Sequence, residues 1–466
     1  MIIKIIYPLK YENEKKYIVE TVFSHFFNVK DFILEFSNEI KPNECHIINE
    51  GQPSFKSLIL NNNFFDHDEE IWLKKGSLPK VPIEYYKLEG LEGKFLNNDI
   101  PVLYGKKSGK IISEFENTIY CDIDLFGGIF FFLTLYEEVV ISKFDNHDRF
   151  NYLDSIIYTS NLNLRPVVNE YLEILKALII KIGFIFPNDN RKYQLILSHD
   201  VDVPFSHNSN IFYFIRNISA DIIIRKSLII PLKKILAKVL PFKYLKYKID
   251  PYNNFEFLMN ISDHYGIKST FYFIATNGMG GIDGHYEIED NFFLNLINNI
   301  KTRGHYIGLH PSYYTYNNVS LLKSQLEKLK IILNQNKNVH QKISARQHYL
   351  RWNNPITWQI YDELNIQQDA SIGSEFYLGF RCGTCYEYPV FNLLTRKKLN
   401  LMELPLLVMD ICAFKLKKSI NNINDIEIIN KACRFYNGQM TLLYHNNYLV
   451  TKNQKNEYKK LLSKLI

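Results

Sequence analysis

From Tyr193 onward the sequence alternates short strand-like runs with amphipathic helical stretches, and this alternation constrains the fold more than any other feature. The strand-like runs are YQLILS (193–198), KSTFYFIA (268–275), HYIGL (305–309), ISAR (343–346), IQQD (366–369), LMELPL (401–406) and QMTLLYH (439–445). Helical periodicity falls between them, near 253–264, 290–302, 319–335, 356–364 and 425–437, and a charged helix closes the pattern near 453–465. Parallel strands need a crossover, usually a helix, so repeated strand–helix units predict an α/β fold with a parallel sheet or barrel. In such folds functional groups gather at the C-terminal ends of the strands.

That rule selects candidates. The first run ends in Ser198-His199-Asp200-Val201-Asp202, and the third in Gly308-Leu309-His310. The next ends in Arg346-Gln347-His348, another at Asp369, and the last in Tyr444-His445-Asn446. Five strands deliver titratable or metal-capable groups to one edge, which predicts a shared site. Asp200 and Asp202 are two apart and face the same way on a regular strand, whereas His199 faces the other way. One aspartate can hold a metal while the other takes a proton, and His310 supplies an imidazole. Arg346 can keep a carboxylate ionised, His445 can protonate a leaving group, and Asp369 could orient it. His305 is read as packing on the opposite face of its strand. These parts suit metal-assisted hydrolysis of an amide or ester.

Residues 1–190 alternate short strand-like runs with Gly, Asn and Pro breaks. Two helices are predicted there, Leu125–Ile141 and one beginning at Pro166 and ending before Gly183. No catalytic constellation is visible in this half, which is read as a smaller mixed α/β domain before a second domain over 191–466. With 46% hydrophobic and 22% charged residues, the 466-residue chain is neither disordered nor collagen-like. No uncharged run approaches the ~20 apolar residues of a membrane span, and the N-terminus lacks a secretory pattern. Six cysteines are too few for a disulfide framework, so the expected location is the cytoplasm. The single CxxC, Cys382 and Cys385, lacks the second pair of a structural zinc site and is read as a loop.

The strand-end strings, in this order, resemble the polysaccharide deacetylase (NodB-homology) superfamily, carbohydrate esterase family 4. The match covers roughly 193–450. SHDVD (198–202) stands at the paired-aspartate motif and GHYIGLHPSYY (304–314) at the metal-histidine motif. SARQHY (344–349), DASIG (369–373) and LLYHNN (442–447) stand at the arginine, aspartate and closing histidine motifs. GFRCGTCYEYPVF (379–391) and RQHYLRW (346–352) resemble a bacterial surface-polysaccharide-biosynthesis subgroup with an uncharacterised N-terminal domain. The resemblance implies a distorted (β/α) barrel of about seven strands. It implies Asp200 as general base, Arg346 as its tether, Asp202 and His310 as metal ligands, His445 as general acid and Asp369 as its tuning partner. The expected cofactor is a divalent metal such as zinc. The family's second motif histidine is replaced by Tyr314, so His348 is the candidate third ligand. Loss of the metal is the alternative. Tyr349 and Trp352 could stack on a sugar ring or pack in the core.

Net charge has one source. Segment 211–248, inside an insert at 203–250, holds nine basic residues and one acid, Asp221, so its +8 exceeds the +6 of the whole chain. Interleaved apolar residues make it either a basic amphipathic surface for peripheral contact with the inner membrane or a lid packed on the barrel. No recognised nucleic-acid motif accompanies the charge. The functional expectation is a hydrolase of carbon–nitrogen bonds, removing an N-acetyl or related N-acyl group from a nucleotide- or lipid-linked sugar in surface polysaccharide biosynthesis. The alternatives are a metal-independent amidohydrolase on a small C–N substrate and a non-catalytic glycan-binding or scaffold protein.

Overall fold

Among the described residues, seven parallel strands form the frame that carries the candidate residues. The computed structural model describes residues 2–50, 57–105, 110–208, 211–276, 282–334, 342–415 and 419–466. Their backbone divides into two units, and the architecture is mixed α/β with several sheets. The first unit comprises 1–193 with two later segments, 379–405 and 431–438, and the second comprises 194–378, 406–430 and 439–466.

In the first unit a six-stranded sheet runs in the order Phe32–Phe36, Ile2–Tyr7, Glu44–Glu50, Ser57–Asn61, Thr118–Cys121, Ile112–Phe115. Alternate residues of the central strands, such as Ile3, Ile5, Ile47 and Leu58, are fully buried, as a period-2 pattern requires. The single helix predicted over 125–141 is two, Leu125–Leu133 and Tyr136–Ile141, because Leu135 turns left-handed at φ 49° between them. The helix predicted from Pro166 is observed as Val167–Lys181. Cys382 and Cys385 lie buried in this unit as free thiols, and burial pushes the Cys382 thiol well up.

In the second unit the parallel strands are ordered Gln368–Asp369, Ser344–Ala345, Tyr306–Leu309, Thr270–Phe273, Gln194–Val201, Gln439–Leu443, Val408–Met409. Leu406 N donates to Ile372 O at 2.9 Å, joining the chain just past the first of these to the chain just before the last. Helices Phe255–His264, Asn291–Thr302, Val319–Asn334 and Ile356–Glu363 fall where periodicity placed them, although residue 335 of the third expectation lies outside the described residues. One strand expectation is corrected. The 401–406 run belongs to Lys397–Glu403, which pairs antiparallel with Tyr388–Asn392 in the first unit. The second unit takes Val408–Met409 as its strand there.

Register explains the clustering. Val201, Phe273, Leu309, Ala345 and Asp369 are partners across the sheet. Asp202, His310 and Arg346 therefore all leave the sheet one residue past the same row. Met409 pairs with Leu443, which sets Asp410 opposite Tyr444 and beside His445. Gly308 has a structural reason: a Cβ there would lie 2.3 Å from the Tyr272 ring. That ring crosses the strand and carries the Arg346 guanidinium 4.5 Å above its centre.

Candidate functional site

Asp202, His310 and His348 each present one donor atom within 4.8 Å of the others. His310 Nδ1 donates to the backbone carbonyl of Arg346 at 2.5 Å, which turns Nε2 toward the cluster. That Nε2 lies 3.0 Å from Asp202 Oδ1, a buried oxygen with no other hydrogen-bond partner among the described residues. His348 Nδ1 donates to Asp283 Oδ1 at 2.6 Å, and its Nε2 lies 3.8 Å from Asp202 Oδ2. Each imidazole is thus oriented through Nδ1, in the manner of metal-ligating histidines backed by a carbonyl or carboxylate. One carboxylate and two imidazoles, with room for a fourth group, are a donor set suited to zinc or a similar divalent ion. The residues fit such a group, and His348, the candidate third ligand, supplies the cluster's second imidazole.

Two further pairs flank this cluster. Arg346 Nη1 donates to Asp200 Oδ1 at 2.9 Å and to Ser198 Oγ at 2.8 Å, while Nε donates to Ala370 O at 2.8 Å. The pair is almost fully buried. His445 Nδ1 lies 2.9 Å from Asp410 Oδ1, and Asp410 Oδ2 accepts from the His445 backbone N–H at 2.7 Å. His445 Nε2 faces the cluster, 3.4 Å from Asp202 Oδ2.

Charge follows this geometry. Burial alone would lower the His445 pKa, but Asp410 and then Asp202 outweigh it and push it up to about 9. Burial would raise the Asp202 carboxyl, but the His348, His445 and His310 imidazoles hold it well below the carboxylate range. His310 is raised: burial lowers it, and the Asp200 and Asp202 carboxylates more than compensate.

Several expectations change. Asp369 does not orient His445. It accepts from Trp358 Nε1 at 3.0 Å and from Ser371 N at 2.9 Å, and Asp410 occupies the place on the histidine. Trp352 is only 2% exposed and packs edge-on against Trp358, so it offers no face to a sugar. Tyr349 is 41% exposed, and its ring meets His348 with centroids 4.7 Å apart, beside the cluster. Tyr314 is 38% exposed, and its ring packs edge-on against Tyr313. His199 turns away to the Tyr444 carbonyl at 2.8 Å, and His305 accepts from Ser269 N–H.

Two residues escaped the sequence reading. Asp410 ends a strand, as the other candidates do, but the neighbouring LMELPL run drew the strand assignment. Asp283 lies in a loop and carried no periodic signal. Its neighbour Gly284 is the clue: a Cβ there would lie 1.7 Å from the Asp202 carbonyl, so only glycine lets the loop bring Asp283 this close.

Residues 3–183 match a family of unknown function, DUF7033. No curated protein matches the chain. Solved structures with likeness include a provisionally assigned polysaccharide deacetylase from Mycobacterium smegmatis, at 14% identity and TM-score 0.38, covering 60% of this chain and 86% of that one. A carbohydrate esterase family 4 pseudoenzyme from Bacillus anthracis is 11% identical at TM-score 0.29, covering 59% of this chain and 60% of its own. The polysaccharide deacetylase Bc1974 from Bacillus cereus is 12% identical at TM-score 0.28, covering 59% and 88% respectively. At these scores the likeness assigns no residue a role.

Proposed function

We propose that the second unit is a metal-assisted hydrolase that removes an N-acetyl or related N-acyl group from a sugar precursor of a surface polysaccharide. The observation that carries this reading is the Asp202–His310–His348 donor cluster, flanked by a tethered carboxylate on one side and a carboxylate-backed histidine on the other. The seven parallel strands and the Leu406–Ile372 bond support a distorted (β/α) barrel as its frame.

A divalent ion held by the three donors would polarise the acyl carbonyl and acidify a water. Asp200, hydrogen-bonded by Arg346, would take the proton of the attacking water. His445, held by Asp410 and raised by it toward the protonated form, would give its proton to the departing sugar amine. Tyr349 at the rim is the aromatic surface available to the sugar.

Acetate release from nucleotide- and lipid-linked N-acetylated sugars tests the reading, with the Asp200→Asn variant as control. Activity should vanish on chelation and return with zinc. A second reading has its own observation. A protonated His310, 3.0 Å from Asp202, closes the site without an ion, as a metal-independent amidohydrolase would need. Full activity of metal-free protein on a small amide would select that reading.

A further inference from the structure

The insert that follows the Asp200 strand is built inside out. Its two longer helices, Ile211–Ile223 and Ile229–Val239, bury charge and expose hydrocarbon. Asp221 and Lys234 are both fully buried, paired at 2.7 Å, and Arg225 adds a second pair to the same carboxylate. On the outer faces Ile223, Leu228 and Val239 are 73%, 77% and 68% exposed, and Leu232 and Leu236 are exposed beside them. A helix made to face water does the reverse, placing leucines inward and lysines outward. The exposed set extends through the segment between the helices, with Ile224 and Leu228 each 77% exposed, a density along one stretch unlike the scattered apolar residues normal on a surface.

The insert is also held firmly. Asp250, at its far end, accepts from Ser206 N at 3.0 Å, Ser206 Oγ at 2.9 Å and His207 Nδ1 at 2.9 Å at its near end. Residues 209–210 of the insert lie outside the described residues.

We propose that this outer face docks on the surface of an anionic phospholipid bilayer. Charge complementarity selects that occupant. The segment's one acid is buried and paired, while Arg216, Lys226, Lys233 and Lys248 of the same segment are exposed beside its apolar residues in sequence, and Lys243 pairs with Asp290 at 3.1 Å. A second copy of the chain would bring two such cationic faces together, which repel. Nucleic acid would use the charge but leave the isoleucines and leucines in water. Among the described residues no helix is long and apolar enough to cross a membrane, so the contact is interfacial, with apolar side chains in the headgroup boundary and lysines among the phosphates.

The test is cosedimentation of the full chain with vesicles of phosphatidylcholine, alone or mixed with phosphatidylglycerol. The expected result is binding to the mixed vesicles only, weakened by salt. Lys226→Gln and Lys233→Gln should each reduce partitioning roughly fivefold. Leu232→Ser combined with Leu236→Ser should reduce it more than tenfold, with an unchanged circular dichroism spectrum. Absence of vesicle binding, equal binding to neutral vesicles, or lipid-free dimerisation abolished by the double serine variant would each overturn the proposal. The Asp202→Ala chain should bind vesicles as the parent does, so this result stands apart from the proposed hydrolysis.

Discussion

His445 points its Nδ1 at Asp410, 2.9 Å away, and its Nε2 at Asp202, 3.4 Å away. The histidine is held between two carboxylates, one that orients it and one that belongs to the Asp202–His310–His348 cluster, which could hold a metal ion. Its proton is thereby stabilised at neutral pH and directed into the site.

Replacing Asp410 by Asn removes the largest influence raising His445. Activity on an N-acetylated sugar should fall about 10²–10⁴-fold, with the alkaline limb of the pH–rate profile moved to lower pH. Asp369→Asn, which leaves one acceptor oxygen where Trp358 and Ser371 now use two, should lower thermal stability and leave the profile in place.

The His445 ring should titrate near pH 9 in metal-free protein, observed by NMR of the imidazole carbons. Its ordinary value is about 6.5, so the fold favours the protonated form. The stability it contributes is complete below about pH 6.5 and is lost as pH rises through about 9. Adding zinc should move the titration downward, because the ion cancels the Asp202 charge.

His348→Ala should abolish stoichiometric zinc binding, measured by elemental analysis after gel filtration. Asp283→Asn touches no ion itself, yet should weaken zinc affinity about 10–100-fold by releasing the His348 ring. Tyr314→Ala should leave the zinc content unchanged.

Arg346→Met leaves the Asp200 carboxylate buried without its partner. Denaturant unfolding should show a loss of about 3–5 kcal/mol, the usual effect of breaking a buried pair on one side. Asp200→Asn, which keeps a hydrogen-bond acceptor for Arg346, should lose activity with a smaller loss of stability.

Much of the site is legible in the linear chain because parallel strands obey a positional rule. Asp200, Asp202, His310, Arg346, His348 and His445 all lie at or just beyond strand ends, and period-2 alternation turns His199 away. Asp283 and Asp410 are less legible for different reasons. A loop residue has no period to announce it. The strand that delivers Asp410 is two residues long and follows a stronger apolar run that folds elsewhere.

What the sequence determined by itself was the alternation of strands and helices, the polar groups at their ends, and the location of the charge in one insert. Those properties are local, set by side-chain period and composition. The tertiary structure decided the partners. It gave Asp410 rather than Asp369 to His445, buried Trp352 beneath Trp358, and turned the insert's leucines outward while hiding Lys234 against Asp221. Such choices depend on register and on which faces meet, and contacts between residues far apart in the chain leave no periodic trace in it.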